Sequence, residues 1–163
     1  MTLNVEKSFV VSYGSSESVR EYSMEDDRIL HKDEYSDLGL SVKTPVSFKP
    51  HIENVIHRSF KMLAIINKLF KYRKQSSFLR LYKAYVRPLL EYVSTVWSPQ
   101  VQYLAEDIER VQKRFCRMCP GIQSLSYREQ LSQLGLLSLK SRRLRSQLIT
   151  IFKMFKGNSG YQI

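Results

Sequence analysis

SVKTPVSFKPHIENVIHRSFKMLAIINKLF, residues 41–70, is where the reading of this chain turns. Before Pro45 the apolar residues fall in short β-branched clusters between turn formers. From Pro50 onward Ile52, Val55, Ile56, Leu63, Ile66 and Phe70 recur at helical spacing, with Lys61, Lys68 and Lys71 on other faces. The change of period predicts a boundary at Pro45–Pro50. A small sheet-forming segment, 1–47, precedes a helical body, 48–163.

Toward the N-terminus, Lys7-Ser-Phe-Val-Val-Ser-Tyr13 reads as a strand closed by Gly14. Tyr22-Ser-Met24 and Arg28-Ile-Leu30 flank Glu25-Asp26-Asp27, a polar group with the composition of a hairpin turn. Tyr35 to Val42 reads as a further strand interrupted at Gly39, where a glycine marks a bulge or a close backbone approach. Strands this few and this short need a covering helix.

Toward the C-terminus four more helices follow the first. The second starts near Ser76 and Ser77, both N-cap types, and carries Leu81, Tyr82, Tyr85, Leu89, Tyr92, Val93 and Val96. Pro88 predicts a kink or split within it, and Trp97-Ser-Pro99 ends it. The third runs from about Leu104 to Met118, with Ile108, Val111 and Phe115 inward, and stops at Pro120-Gly121. The fourth spans Ser126 to Leu134 before Gly135, a C′-type residue. The fifth, Ser138 to Lys156, carries Leu144, Leu148, Ile151, Phe152 and Phe155. The expected fold is α+β, mainly α: a small N-terminal antiparallel sheet or hairpin and a bundle of about five helices. Its expected core is Ile52, Ile56, Leu63, Ile66, Phe70, Leu81, Tyr85, Leu89, Trp97, Ile108, Val111, Phe115, Leu144, Leu148 and Phe152.

Composition narrows the function classes. At 43% hydrophobic and 12% aromatic, the 163-residue chain has enough apolar side chains for a packed core. Two cysteines make no disulfide scaffold and favour a reducing compartment. No apolar run is long enough to span a bilayer. MTLNVEKSFVVSYG (1–14) lacks the pattern of a secretory signal. The expectation is an intracellular protein of nucleus or cytoplasm, not secreted, with no membrane association.

Charge carries the strongest functional signal. The chain bears +11, unevenly. Residues 1–47 hold five basic and nine acidic side chains, net −4, and residues 48–163 hold the other 21 basic and six acidic ones, net +15. A strongly basic body predicts a polyanionic partner, nucleic acid first. In the third helix Arg110, Lys113, Arg114 and Arg117 share one face, with the spacing to follow a phosphate backbone. The fifth helix opens with Lys140, Arg142, Arg143 and Arg145, for which no acidic partner is expected nearby. These eight residues are the candidate nucleic-acid contacts. A basic amphipathic helix also suits an anionic membrane, but the apolar stripes are expected in the core.

Other constellations are weaker. Cys116-Arg-Met-Cys119 lacks a second ligand pair for zinc, and His51 and His57 do not converge on one helix face. Two buried thiols are the expectation. Asp26-Asp27 invites comparison with paired polymerase carboxylates, yet sits in a turn-forming context. No phosphate-binding glycine loop, nucleophile elbow or zincin motif occurs. No catalytic residue, metal or cofactor is expected.

The chain resembles the region following the catalytic core of non-LTR (LINE, Jockey-like) retrotransposon reverse transcriptases. LYKAYVRPLLEYVSTVWSP (81–99), IERVQKRFCRMCPGI (108–122) and LSYREQLSQLGLLSLKSRRLRSQLITIFKMFKG (125–157) match its recurrent text in order and spacing. Upstream, Leu3-Asn4 with Lys7 resembles a palm strand that follows the catalytic dyad. Tyr35-Ser-Asp-Leu-Gly-Leu40 resembles the primer-grip hairpin, which places Leu38 and Gly39 at a primer-grip-like position. The resemblance implies a late-palm remnant and a helical thumb. It also implies that Asp26-Asp27 is not the catalytic pair, which would lie upstream of this chain. Lys7 matches a lysine that the resemblance links to proton transfer. Cys116 and Cys119 stand where the family usually has other residues. The function so implied is a C-terminal fragment of an RNA-directed DNA polymerase without catalytic aspartates. It would hold RNA–DNA or DNA duplex sequence-independently through the phosphates. The competing expectation is a transposon-derived helical scaffold or relic, binding protein or itself through an exposed palm remnant.

Overall fold

The computed structural model describes residues 8–12, 21–24, 27–44, 46–70 and 74–157. Leu3, Asn4, Lys7, Tyr13, Gly14, Glu25, Asp26, Pro45 and Lys71 lie outside the described residues. The chain divides into two compact units, residues 1–51 and 52–163. It is α+β and mainly α.

In the first unit, β1 (Phe9–Val10), β2 (Tyr22–Met24) and β3 (Asp27–His31) form one sheet in the order β1-β3-β2. β2 pairs with β3 antiparallel, Tyr22 opposite Ile29, whereas β1 pairs with β3 parallel, Phe9 opposite Leu30. The sheet is therefore mixed rather than purely antiparallel. β4 (Glu34–Asp37) and β5 (Leu40–Lys43) form a separate antiparallel hairpin with Tyr35 opposite Val42. The Tyr35–Val42 segment is thus two strands, and Gly39 marks a reversal instead of a bulge. Leu38 at φ +47° and Gly39 at φ +82° make the two-residue loop. Positive φ at both positions matches the right-handed twist of the paired strands. Val42 is buried, and the Ser41 amide donates to Nδ1 of the buried His51 at 3.5 Å.

Helix α1 (Lys49–Leu69) buries Ile52, Val55, Ser59, Leu63 and Ile66 along one stripe. Phe70 falls beyond its end and is exposed.

The second expected helix is three short ones and a widened turn: α2 (Gln75–Leu81), a π-helical turn (Tyr82–Val86), α3 (Arg87–Glu91) and α4 (Ser94–Trp97). It starts at Gln75 with Lys74 at the N-cap position, two to three residues before the serines. Pro88 has no N–H to give the Ala84 carbonyl, and the turn before it widens so that the Arg87 amide reaches the Tyr82 carbonyl. The wide turn changes which residues face inward. Phe78, Tyr82, Val86 and Leu90, each four apart, are buried, while Tyr85, expected inside, is 56% exposed. The break itself falls at Val93, which sits at φ +47°.

Helix α5 (Gln102–Met118) buries Leu104, Ile108, Val111, Phe115 and Cys116. The Phe115 ring stacks on Tyr82 at 4.1 Å and on Phe78 at 5.5 Å between centroids. Helix α6 (Tyr127–Leu134) begins with a capping box between Ser126 and Glu129 and ends at Gly135 in the left-handed region. Helix α7 (Leu139–Phe155) starts at the N-cap Ser138. It departs most from expectation: Leu144, Leu148 and Phe152, assigned to the core, are 56%, 58% and 58% exposed. Its packed face is instead Leu139 and Arg143, with Ser146 and Thr150 half-buried. No helix among the described residues is long and apolar enough to cross a membrane.

Candidate nucleic-acid interface

The candidate site is built on α5 and α7, and a buried carboxylate joins them. Glu109 lies on the inward face of α5, 9% exposed. It accepts hydrogen bonds from the Leu139 and Lys140 amides, each at 3.2 Å, and from the Tyr127 hydroxyl. The two amides are free donors of the first turn of α7, so the carboxylate completes that helix end and meets its positive pole. Gln112, fully buried beside it, accepts from Tyr82 Oη at 2.8 Å and donates to Tyr127 Oη at 3.1 Å and the Leu137 carbonyl at 3.0 Å. This network fixes where α7 begins relative to α5, and therefore where both sets of cations stand.

The structure sorts the eight expected cations into different states. Arg110 pairs with Asp107 at 2.8 Å on the exposed side of α5. The Arg142 guanidinium grips Glu91 with two nitrogens, Nη2 at 2.9 Å, and this carboxylate holds Arg142 above its usual pKa. The expectation that the start of α7 lacks acidic partners is therefore corrected. Glu91 and Glu109 are remote in sequence and adjacent in space. Arg143 is buried, 4% exposed; its Nη1 has no hydrogen-bond partner among the described residues, and burial lowers its pKa. Lys113 lies over the Tyr127 ring, Nζ 5.4 Å from the centroid. Arg114, Arg117, Lys140 and Arg145 are exposed and make no side-chain ion pair among the described residues.

Two clefts link these groups. One, of about 270 Å³, is lined by Glu106, Glu109, Lys113, Tyr127, Ser138 and Lys140. The other, of about 520 Å³, has no acidic lining and includes Ser98, Gln100, Lys140, Ser141, Arg143 and Gln147. Lys140 borders both, so Lys113 of α5 and Arg143 of α7 adjoin through it, whereas Arg110, Arg114 and Arg117 line neither cleft.

The cysteines are buried and free, and burial pushes both thiols up to about 12. They are protonated near neutral pH, which suits packing and not nucleophilic work. Leu38 and Gly39 sit together at the tip of the β4–β5 hairpin, in the first unit. Asp27 is the first residue of β3. Among the described residues no group of three or more His, Cys, Asp or Glu side chains converges as a metal site would. Glu91 and Glu109 were missed as organising residues. The available signal was an acidic residue on an otherwise apolar helix face, at Glu109 beside Ile108 and Gln112.

Fold and site together define a mainly helical protein with a small β unit and basic helices held in register by the buried Glu109 and the half-buried Glu91. No family model and no solved structure matches the chain. It is similar to the "Uncharacterized protein B0403.1" of Caenorhabditis elegans, 28% identical over 126 residues that cover 75% of this chain and 63% of that protein. The matched region thus spans somewhat less than two thirds of that relative's length.

Proposed function

We propose that this chain is a nucleic-acid-binding part of a LINE-type reverse transcriptase, a thumb-like body that grips a primer–template duplex by its phosphates. The observation that carries the reading is the set of cations left after intramolecular pairing. Arg114, Arg117, Lys140 and Arg145 are exposed and make no side-chain ion pair among the described residues, and Lys140 borders an acid-free cleft that contains Arg143. Burying a guanidinium nitrogen without a partner is costly, and an anion entering the cleft would offset that cost. The long sequence resemblance supports this family, and the hairpin at Leu38-Gly39 suits a primer-grip role. Contacts of this kind position a duplex and read no bases. The chain by itself is read as non-catalytic, with no cofactor of its own.

The test is titration of the protein with labelled RNA–DNA hybrids of two unrelated sequences. Equal affinity for both is expected, with a loss of several tenfold between low and physiological salt, as neutralisation of several phosphates requires. Primer extension with magnesium and nucleotides should give no product. Strong sequence preference, or binding indifferent to salt, would contradict the proposal. Extension abolished by Asp27→Asn would contradict the non-catalytic reading.

A further inference from the structure

Helix α7 carries two seams. The inner one, Leu139, Arg143, Ser146 and Thr150, packs on the body through α4 and α5. The outer one, Leu144, Leu148, Ile151 and Phe155, is the more apolar of the two and faces solvent, each residue 48% exposed or more. At 100° per residue the seams are centred roughly 140° apart. The outer spacing of four, three and four residues is the alternation of d and a positions in a heptad. It is not the broader stripe of a helix seated in a globular core. Phe152 adjoins it at an e position and is 58% exposed. A contiguous apolar stripe of this kind marks an interaction surface.

The flanks decide what covers it. Lys140 stands at g and Arg145 at e, with Gln147 and Met154 at the remaining g positions. From Leu139 to Lys156 there are six cations and no acidic residue. A second copy in parallel would set Lys140 against Arg145 across the seam, and an antiparallel copy would again place cations or neutral groups opposite one another. Like charges at e and g disfavour self-pairing, and opposite charges select the partner. We propose that the outer face of α7 docks an amphipathic helix of another protein, with apolar a and d positions and acidic residues at e and g. Burial of the seam drives this docking, and Lys140 and Arg145, which are also among the cations proposed for phosphates, select the partner by charge. The docking does not rest on the nucleic-acid reading.

The experiment uses the whole chain and two synthetic heptad peptides with leucine at every a and d. One carries glutamate at e and g, the other lysine. The glutamate peptide is expected to bind at least about tenfold more tightly than the lysine peptide, and to weaken with salt. Leu148→Gln with Ile151→Gln should weaken it by about tenfold or more. Because both side chains are exposed, the helix content and melting temperature of that variant should match those of the parent. Equal binding of the two peptides, binding of neither, or no loss in the double variant would overturn the proposal. So would a homodimer that the double variant dissolves, or seam-dependent uptake by phosphatidylserine vesicles without peptide binding.

Discussion

Single side chains carry charges whose state depends on burial. Cys116 and Cys119 have thiol pKa values raised from the usual 9.0 to about 12, chiefly by desolvation. Tyr82 and Tyr127 hydroxyls are raised too, again first by burial. A raised acid keeps its proton in the folded chain after the unfolded chain has lost it. The unfolded state then binds fewer protons, and stability falls with rising pH. The melting temperature should hold up to about pH 9 and decline steadily toward pH 12. Replacing both cysteines by alanine should make that decline shallower. A melting temperature flat across this interval would count against these buried groups. At the other end of the chain Leu38 occupies a left-handed backbone conformation, which costs a branched apolar residue roughly 1–2 kcal/mol. Asn-Gly is the sequence such a loop favours. Leu38→Asn should therefore stabilise the protein by about 1 kcal/mol in chemical denaturation.

At the scale of elements, α7 is fastened by interactions between segments far apart in sequence. The Arg142–Glu91 pair ties it to α3, with side chains 29% and 24% exposed. A double-mutant cycle of Arg142→Ala and Glu91→Ala should give a coupling of about 1–2 kcal/mol, above that of an exposed pair. Additivity of the two substitutions would show that the pair adds nothing. The elements themselves were largely legible in the sequence. The caps Ser126, Gly135 and Ser138 and the period of α1 and α5 are local signals, and local chemistry places them well. What the sequence hid was orientation. Through Tyr82–Val86 a widened turn shifts the inward positions to a spacing of four, so a constant helical period puts Tyr85 inside when it is outside. For α7 the apolar stripe is the correct stripe of an amphipathic helix. An apolar stripe, however, says only that something covers it, and not that the same chain does.

Across the molecule the defining property is how cations are divided between internal use and external availability. Sequence spacing found all eight candidates on α5 and α7, but it had no means of finding Glu91 and Glu109, whose roles exist only after folding. The division leaves Arg114, Arg117, Lys140 and Arg145 for a partner and engages Arg110 and Arg142 within the chain. The most direct measurement is therefore the logarithm of affinity for an RNA–DNA hybrid against the logarithm of salt concentration. It should be made for the parent chain, for Arg114, Arg117, Lys140 and Arg145 changed together to Ala, and for Arg110 and Arg142 changed together to Ala. The parent is predicted to give a steep negative slope. The first variant should lose about 0.7–0.9 of slope for each phosphate contact removed, and the second should keep nearly all of it. A slope unchanged in the first variant, or reduced equally in both, would contradict the division of charge on which this reading rests.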